Sequence, residues 1–381
     1  MPRLLHVMDY EPRGTRSCDH FILDLTQKLR NDGWEVRFAF GAEPTAEFQK
    51  ALSEAGGSYT VISFPFTRES ARSLKRQLDG FRPDVLQTSF LSAFTWALIS
   101  LKLSGFTRRL VVIDHSSGIA AFRSGWKRSL TKFRGWLVGR VVDAIVPVSK
   151  AIARRDIEGM FLPAHKVHVV YNGIRIELFP NIPRPPHKML RVVYAGQLIP
   201  EKGVMTLLQA HDRLRKAGVS SYELLIAGKG AQEADLKAFC IAIGLDNVQF
   251  LGHVDSIPQL FGTADIVVVP SVWYEAFGVV LVEAMACGAA CLVSNAGALP
   301  EVAGAAGRVF RAEDPDDLAA QLKCLLADPD LRRSLGQAAR LRAESEFTSE
   351  QMVNGHVAVC DAVLRGVGMQ SPSVKYRCDD R

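Results

Sequence analysis

The chain has 381 residues, of which 48% are hydrophobic, and a formal net charge of +6. This length exceeds one ordinary hydrophobic core and predicts two domains, while so small a charge does not by itself indicate a nucleic-acid or membrane partner. The seven cysteines are scattered and form no C-x-x-C pair, which favours a reducing compartment and argues against a zinc cluster. Residues 1–10 show no signal-peptide pattern and no apolar run reaches the length of a membrane span, so we expect a cytoplasmic protein.

Short apolar runs alternate with helix-length segments through the first half of the chain. This alternation predicts an α/β domain with a parallel sheet covered on both faces, whose ligands meet the carboxyl ends of the strands. His115 directly follows the run LVVID and therefore lies at such an end. A first helix is predicted to end near Leu29, and residues 90–103 are predicted to form a buried helix. The predicted strands are residues 4–9, 35–40, 59–64, 85–89, 110–115, 144–149 and 167–171.

Residues 121–142 combine aromatic and basic side chains and contain no acidic residue. An apolar face is predicted because apolar residues recur at three- and four-residue steps. A basic amphipathic helix with aromatic residues is typical of an element that lies on an anionic membrane surface. Alternatively the apolar face packs on the sheet and the basic side chains are solvated; the sequence leaves both interpretations open. The apolar positions are Phe122, Trp126, Leu130, Phe133 and Leu137, and the basic ones are Arg123, Lys127, Arg128, Lys132, Arg134 and Arg140.

A proline-rich connection at residues 181–190 separates this first domain from a second series of strands and helices. We predict domains at residues 1–180 and 191–348, a last helix at 349–366 and a disordered tail at 367–381. The strands of the second domain include residues 191–195, 222–227, 248–252 and 265–270.

Three phosphate- and metal-binding patterns are absent or incomplete in the second domain. Gly228-Lys229-Gly230 follows a predicted strand, but Glu233 stands where the third glycine of a dinucleotide-binding motif belongs, and no G-K-[ST] loop occurs. These departures argue against hydride transfer and NTP hydrolysis. The two D-P-D motifs at residues 314–316 and 328–330 precede amphipathic runs and are interpreted as helix N-caps. No metal site is predicted.

The most informative stretch runs from residue 265 to residue 301. A buried strand is followed by a loop that carries Glu275, and then by a helix over residues 278–287 that is apolar on nearly every side. Glu283 is the only ionisable side chain of that helix apart from a cysteine. Because a dry, unpartnered carboxylate costs several kcal/mol, we expect Glu283 to bind hydroxyl groups of a ligand.

The start of this helix predicts an anion site. The amides of Phe277, Gly278 and Val279 lie where intrahelical acceptors are missing and the helix dipole is positive. In order, the stretch offers a carboxylate, an anion site and a second carboxylate. Such an arrangement suits a sugar that is joined through phosphates to a ribose.

The segment S-x-x-Y-E-x-F-G-x-x-x-x-E-A-M-A-x-G, with seven residues between Glu275 and Glu283, resembles the signature of retaining, nucleotide-sugar-dependent glycosyltransferases of family four. The resemblance implies the GT-B fold, in which two Rossmann-like, doubly wound α/β domains face each other across a cleft. It implies transfer of a hexosyl-type sugar from a nucleoside diphosphate sugar to a hydroxyl acceptor with retention of configuration, without a metal ion or another cofactor. The acceptor is expected on the first domain and the donor mostly on the second, with the last helix crossing back to the first.

The resemblance also assigns site residues. The catalytic residues would be His115, Lys202 and Glu275, with Lys202 on the diphosphate and Glu275 on the hydroxyls of the transferred sugar. Glu283 would hold the ribose. Gln197 stands where the family carries an arginine, so one positive charge is missing, and Gly14 is alone where the family usually has paired glycines. The complete donor-binding set is Gly14, Gln197, Lys202, Gly228, Val254, Glu275, Phe277, Gly278, Val279 and Glu283, with Gly228 and Val254 contacting the base through their backbones.

The partners implied are a nucleotide-sugar donor, a hydroxyl acceptor that is lipid-linked in one interpretation, and an anionic membrane surface contacted through residues 121–142. No nucleic-acid partner is predicted. With the membrane contact, a peripheral position on the inner face of the cell membrane and a role in polysaccharide or glycolipid assembly are expected. Two alternatives remain open: a sugar-nucleotide epimerase with the same architecture, and a non-catalytic scaffold, which Gly14 and Gln197 favour slightly.

Overall fold

The structure is a computed structural model that describes residues 1–14, 16–78, 80–118, 125–179 and 189–367. It divides into two compact units. One comprises Met1–Ser116, Ala120–Tyr171 and the chain from Glu350, and the other Ser117–Ile119 and Asn172–Ser349. The division after Tyr171 precedes the predicted linker at 181–190, of which residues 181–188 lie outside the described residues, as does all but Val367 of the predicted tail.

The first unit is built on a six-stranded parallel sheet of order β3-β2-β1-β4-β5-β6. Its strands are β1 (Arg3–Met8), β2 (Glu35–Phe40), β3 (Ser58–Val61), β4 (Val85–Ser89), β5 (Arg109–Asp114) and β6 (Ala144–Pro147). Its helices are α1 (Ser17–Asn31), α2 (Ala46–Glu54), α3 (Arg68–Gln77), α4 (Trp96–Leu103), α5 (Trp126–Val141), α6 (Lys150–Arg154) with a π-helical turn at Arg155–Gly159, a 3₁₀ turn at Ala164–Lys166, and the last helix of the chain, α14 (Ser349–Arg365).

The second unit repeats this design with the order β12-β11-β10-β7-β8-β9. Its strands are β7 (Leu190–Ala195), β8 (Tyr222–Ala227), β9 (Val248–Gly252), β10 (Ile266–Val269), β11 (Ala290–Ser294) and β12 (Gly307–Phe310). Its helices are α7 (Val204–Lys216), α8 (Glu233–Ile243), α9 (Ile257–Gly262), α10 (Val279–Ala286), α11 (Leu299–Ala303), α12 (Pro315–Ala327) and α13 (Pro329–Glu346), with 3₁₀ turns at Ile176–Leu178, Pro200–Lys202 and Gly304–Ala306.

Each sheet has the Rossmann order 3-2-1-4-5-6 when its strands are numbered along the chain, so the predicted α/β class with two Rossmann-like domains is confirmed. The central strands β4 and β10 are buried along their whole length because helices cover both faces. The strand order reverses between β1 and β4 in one sheet and between β7 and β10 in the other. Such a switch point is where open α/β sheets bind ligands at the carboxyl ends of their strands.

The predicted strand at residues 167–171 is wrong. Val167 forms only a single parallel bridge with Ile145, and the amides of His168 and Val170 donate to the carbonyls of Ile145 and Pro147 at 2.9 and 3.1 Å. Pro147 has no amide hydrogen to return, so the ladder cannot continue at this edge of the sheet. The predicted strand at 59–64 likewise ends early, at Val61.

The predicted buried helix at residues 90–103 is correct only in part. Phe90 has a φ of +62°, which an α-helix cannot contain, and the helix begins at Trp96. Trp96 and Leu103 are exposed, whereas the residues between them that face the core are buried: Ala97, Leu98, Ile99 and Leu101. Both D-P-D motifs are confirmed as helix caps, because Asp314 and Asp328 accept hydrogen bonds from the first amides of α12 and α13.

Helix α5 turns its aromatic stripe away from the sheet, so the interpretation in which that stripe packs on the core is wrong. Of the predicted apolar positions, Trp126 and Phe133 are 72% and 58% exposed, Leu130 is also exposed and Leu137 is half-buried; Trp136, outside the predicted set, is exposed beside them. The buried residues of α5 are Gly135, Val138 and Gly139, which lie on the opposite side. There the helix meets residues 160–163, so closely that a Cβ on Gly135 would overlap the carbonyl oxygen of Met160. Phe122 and Arg123 lie outside the described residues.

Across the described ranges, no helix is both long enough and apolar enough to cross a membrane.

Candidate active site

The switch point of the second unit carries an ion pair. Lys202 ends the turn that follows β7, and Glu275 lies in the loop that follows β10. The Nζ atom of Lys202 donates to Oε1 of Glu275 at 2.5 Å, and Oγ of Ser271 donates to the same oxygen at 2.7 Å. Glu275 is only 7% exposed. The structure therefore brings together two of the three predicted catalytic residues, although they are 73 residues apart in the chain.

Backbone contacts fix the loops that carry this pair. Gly203 adopts the left-handed conformation at φ +66°, and a Cβ at this position would overlap the carbonyl oxygen of Pro270 at the end of β10. The amides of Val272 and Trp273 both donate to the carbonyl of Glu201, at 3.0 and 3.2 Å. Position 203 needs a left-handed backbone and has no room for a Cβ atom. Only glycine meets both requirements, which explains why glycine follows Lys202.

The predicted anion site lies beside this pair at the start of α10. Gly278 caps the helix with φ +90°, and no acidic residue occupies the first turn. The amides of Gly278 and Val279 lie at the first turn, where no intrahelical acceptor exists. Phe277 anchors the helix start, because its buried ring packs edge-to-face on Phe347 at 5.5 Å. The geometry fits a phosphate group at the positive end of the helix dipole.

Glu283 is half-buried, so it is not the dry carboxylate that the apolar sequence of its helix suggested. The reason is that α10 is open on one face, formed by Val279, Val280 and Glu283, while its other side chains are buried against the core. Positions 279 and 283 are four residues apart and therefore lie on the same side of the helix. Glu283 thus lies one turn along α10 from the anion site, on the face that a ligand can reach.

The remaining predicted contacts of the second unit line the same edge of its sheet. Gly228 follows β8 with φ +136°, and a Cβ there would overlap the carbonyl oxygen of Gly196, so the turns after β7 and β8 run side by side. The Gln197 side chain is exposed, while its carbonyl accepts a hydrogen bond from Oη of Tyr194 at 2.7 Å. Val254 lies two residues after β9. Gln197, Gly228 and Val254 therefore follow three adjacent strands.

In the first unit, His115 directly follows β5 and belongs to a stack of rings. It lies on Phe90 with ring centroids 4.6 Å apart, and Phe90 in turn stacks on Tyr10 at 5.9 Å. Burial lowers the pKa of His115 to about 4, against the opposing effect of the Asp114 carboxylate. Sequence reasoning missed Tyr10 and Phe90, although each is an aromatic residue close behind a predicted strand. Phe90 is 44% exposed and has a backbone conformation that is rare for a bulky residue.

Gly14 lies in the loop after β1, with φ +91°. Its amide donates to Oδ2 of Asp19 at 2.9 Å, and the amide of Arg16 donates to the same oxygen at 2.9 Å. The buried carboxylate of Asp19 thus orders the loop from within the first unit. Sequence reasoning missed Asp19; its position in the first turn of α1, two residues after the helix begins, was the available signal.

Within the part of the chain that the structure describes, no group of three or more His, Cys, Asp or Glu side chains is arranged to hold a metal ion.

Comparison with known proteins gives two family matches that together span most of the chain. The model of Glycosyltransferase Family 4 matches residues 19–178, and that of Glycosyl transferases group 1 matches residues 176–342. A glycogen synthase of Mycobacterium tuberculosis is 31% identical over 319 residues, which cover 79% of this chain and 75% of the relative. A phosphatidyl-myo-inositol mannosyltransferase of Mycolicibacterium smegmatis is 26% identical over 374 residues, 94% of this chain and 92% of the relative.

Solved structures share the fold. A glycosyltransferase from Rickettsia africae ESF-5 superposes with a TM-score of 0.78 at 16% identity, covering 96% of this chain and 99% of that one. Anabaena Alr3699/HepE in complex with UDP and glucose superposes with a TM-score of 0.75 at 19% identity, covering 95% and 100%. The two Rossmann-like units thus correspond to the GT-B fold over nearly their full length.

Proposed function

Since this chain belongs to the group 1 glycosyl transferases, we propose that it transfers a sugar from a nucleoside diphosphate sugar to a hydroxyl acceptor, with retention of configuration and without a metal ion. The observation that carries this proposal is the arrangement at the switch point of the second unit. The Lys202–Glu275 pair lies beside an anion site at the start of α10, and Glu283 follows one helical turn later. These groups match the sugar, the diphosphate and the ribose of such a donor in order.

Lys202 is proposed to bridge the two sides of the bond that breaks. An ammonium group donates three hydrogen bonds, so Lys202 can keep Glu275 and also bind a phosphate oxygen. Negative charge grows on the leaving diphosphate, and preorganised positive groups there stabilise the transition state. Lys202 and the helix start of α10 supply that charge from the protein itself, which is why we propose a reaction that proceeds without a metal.

Glu275 is proposed to bind hydroxyl groups of the transferred sugar. One of its oxygens is already engaged by Lys202 and Ser271, which orients the carboxylate as a hydrogen-bond acceptor. Glu283 would accept from the ribose, while Gln197, Gly228 and Val254 would contact the diphosphate and base. In the first unit, Gly14 and His115 are proposed to contribute to the donor phosphates and the transferred sugar. We name no covalent nucleophile, and propose that departure and attack occur on the same face of the sugar.

A thermal-shift screen of UDP-, GDP- and ADP-sugars in the presence of EDTA tests the donor class. A ligand at a hundredfold excess over its Kd stabilises the folded state by about 2.7 kcal/mol. We therefore expect one donor class to raise the Tm by several degrees, and its nucleoside monophosphate to raise it less. An unchanged Tm with every donor would contradict the proposal.

We further propose that α5 rests on the anionic inner face of the cell membrane, where the chain would reach a lipid-linked acceptor. The exposed aromatic stripe of α5 is bordered by basic residues, and among the described residues none of these has a carboxylate within ion-pair distance. Instead they lie near rings, as with Arg140 at 4.0 Å from Trp136 and Arg134 at 5.0 Å from Phe94. The five described basic residues are Lys127, Arg128, Lys132, Arg134 and Arg140.

The basic residues and the aromatic rings of α5 both favour binding to an anionic bilayer. Each Lys or Arg near an anionic membrane contributes about 1 kcal/mol, and aromatic rings are stable at the headgroup level. The relative from Mycolicibacterium smegmatis, whose name gives a phosphatidyl-myo-inositol as its acceptor, supports a lipid-linked acceptor for this chain too.

Flotation with vesicles tests this surface. We expect the protein to float with vesicles of phosphatidylcholine and phosphatidylglycerol at low salt, and to be released at high salt. Replacing both Phe133 and Trp136 by serine should lower the partition coefficient at least about tenfold, because each buried ring contributes on the order of 1.5–3 kcal/mol. Ile241→Ser, at an exposed apolar position of α8, is the matched control and should not change it. A protein that stays unbound at low salt would refute the membrane contact.

A further inference from the structure

The loop that carries His115 is held by an arginine that no sequence motif identified. Arg155 lies 7% exposed at the start of the π-helical turn after α6. Its Nη1 atom donates to the carbonyl oxygen of Ser116 at 2.7 Å, and its Nη2 atom donates to Oδ2 of Asp114 at 2.6 Å and to Oγ of Ser116 at 3.0 Å. One guanidinium therefore binds both chain neighbours of His115.

The loop closes on itself around this guanidinium. The amide of Ser116 donates to Oδ1 of Asp114 at 2.8 Å, so both oxygens of that carboxylate are engaged. Asp156 is fully buried beside the guanidinium, with Oδ1 at 3.4 Å from Nη2 of Arg155. Burial raises the pKa of Asp156, and the nearby Asp114 carboxylate raises it further. The guanidinium therefore binds the Asp114 carboxylate at 2.6 Å and lies farther, at 3.4 Å, from that of Asp156.

The imidazole itself is held from the other side by Phe90, whose ring stacks on it at 4.6 Å. Phe90 adopts φ +62°, a conformation that persists in a bulky residue only where its surroundings enforce it. Both the ring and the backbone of His115 are therefore constrained at the carboxyl end of β5.

We propose that Arg155 is a positioning residue for His115, which fixes Asp114 and Ser116 so that the imidazole stays stacked on Phe90. This inference rests on the proposed role of His115 in sugar transfer. Arg155 itself contacts Asp114 and Ser116 and is not proposed to touch the reacting groups. This role requires a planar guanidinium with several N–H donors, because one hydrogen bond could not hold both the Asp114 side chain and the Ser116 carbonyl.

The arrangement has an electrostatic consequence for His115. Asp114 lies beside it and raises its pKa, while His115 in turn helps to lower the pKa of His6 on β1 and of His356 on α14, both of which burial lowers most. Asp114 is the group that raises the pKa of His115, and Arg155 offsets the charge of that carboxylate. Without Arg155, the negative charge of the Asp114 carboxylate is no longer offset by the guanidinium. The pKa of His115 should then rise, so that the imidazole protonates at a higher pH.

Titration of the histidine C2–H resonances of the full chain by NMR tests the proposal, with His115 assigned by means of His115→Gln. Arg155→Met should raise the pKa of His115 by at least about one unit. It should also lower kcat by about tenfold or more while the KM for the donor changes little, because a displaced catalytic group costs rate rather than binding. An unchanged titration, or a wild-type kcat, would overturn the proposal.

Arg109→Met is the matched control, because it removes an arginine from the opposite end of β5, where Arg109 pairs with Asp143 at 3.1 Å. It should leave both the titration and kcat as in the wild type. If Arg155→Met does not fold, Arg155→Lys decides. It keeps a charge near Asp114 but has one nitrogen where Arg155 has two, so it cannot occupy both the position of Nη1 beside the Ser116 carbonyl and that of Nη2 beside Asp114. The kcat should therefore still fall several-fold, and a wild-type kcat would overturn the proposal.

The same experiment separates this inference from the proposed function. If His115→Gln turns over sugar at the wild-type rate, the catalytic role of His115 fails, while the titration of His115 in Arg155→Met still shows whether Arg155 holds the loop.

Discussion

Lys202→Ala is expected to lower the turnover number by at least about tenfold, because it removes the charged donor proposed to stabilise the leaving diphosphate. The same substitution leaves Glu275, a nearly buried carboxylate, with only the hydrogen bond from Ser271 among the side-chain contacts described above, so the hydroxyls of the transferred sugar should also be held less well. The loss should therefore appear mainly in kcat. Steady-state kinetics with the donor identified by thermal shift measure it.

Two substitutions serve as controls for this result. Lys202→Arg keeps a positive charge and should retain more activity than the alanine variant. Lys216→Ala removes an exposed lysine at the other end of α7, where it pairs with Asp212 at 2.6 Å, and should leave kcat unchanged. Wild-type turnover in Lys202→Ala would refute the catalytic role of Lys202.

Glu283→Ala is expected to weaken binding of the nucleoside diphosphate by about tenfold to a hundredfold, because a hydrogen bond to a charged group contributes on the order of 1.5–3 kcal/mol. Since Glu283 is proposed to contact the ribose and not the bond that breaks, kcat at saturating donor should change much less. Isothermal titration calorimetry of the wild type and the variant measures the change in Kd.

A 2′,3′-dideoxyribose analogue of the nucleoside diphosphate makes this test specific. If Glu283 binds the ribose hydroxyls, the wild type and Glu283→Ala should bind the analogue with similar affinity, because the analogue already lacks the partner groups. An equal loss of affinity for both nucleotides would show that Glu283 acts elsewhere than on the ribose.

The fold could be predicted from the sequence because its signals are local. Alternating apolar runs and helix-length segments predicted two α/β domains, and the D-P-D motifs predicted the starts of α12 and α13. The strand expected at residues 167–171 failed because pairing depends on a neighbour: Pro147 on β6 cannot donate the hydrogen bonds that a ladder needs. No pattern within residues 167–171 indicates that the adjacent strand contains Pro147.

The periodicity of α5 predicted an apolar stripe but not the direction in which it faces. A stripe toward the core and a stripe toward solvent give the same spacing of apolar residues. Gly135 and Gly139, four residues apart and opposite the stripe, were the available signal, because small residues allow a helix to pack closely against another backbone.

The residues of the candidate site were predicted individually, but their contacts were not. Lys202 and Glu275 were assigned to a diphosphate and a sugar, and the structure shows that they bind each other. Likewise, Arg155 reaches Ser116 across 39 residues of chain. Such contacts depend on how strands are ordered in the sheet, which a linear motif does not encode.

Transfer itself is tested most directly by proton NMR of a reaction that contains EDTA, the donor selected by thermal shift, and a hydroxyl acceptor extracted with membrane lipids. We expect a new anomeric signal of the same configuration as that of the donor sugar, with release of one nucleoside diphosphate for each sugar transferred, and only when the acceptor is present. An inverted anomeric configuration, a requirement for added metal, or conversion of the sugar nucleotide without any acceptor would contradict it.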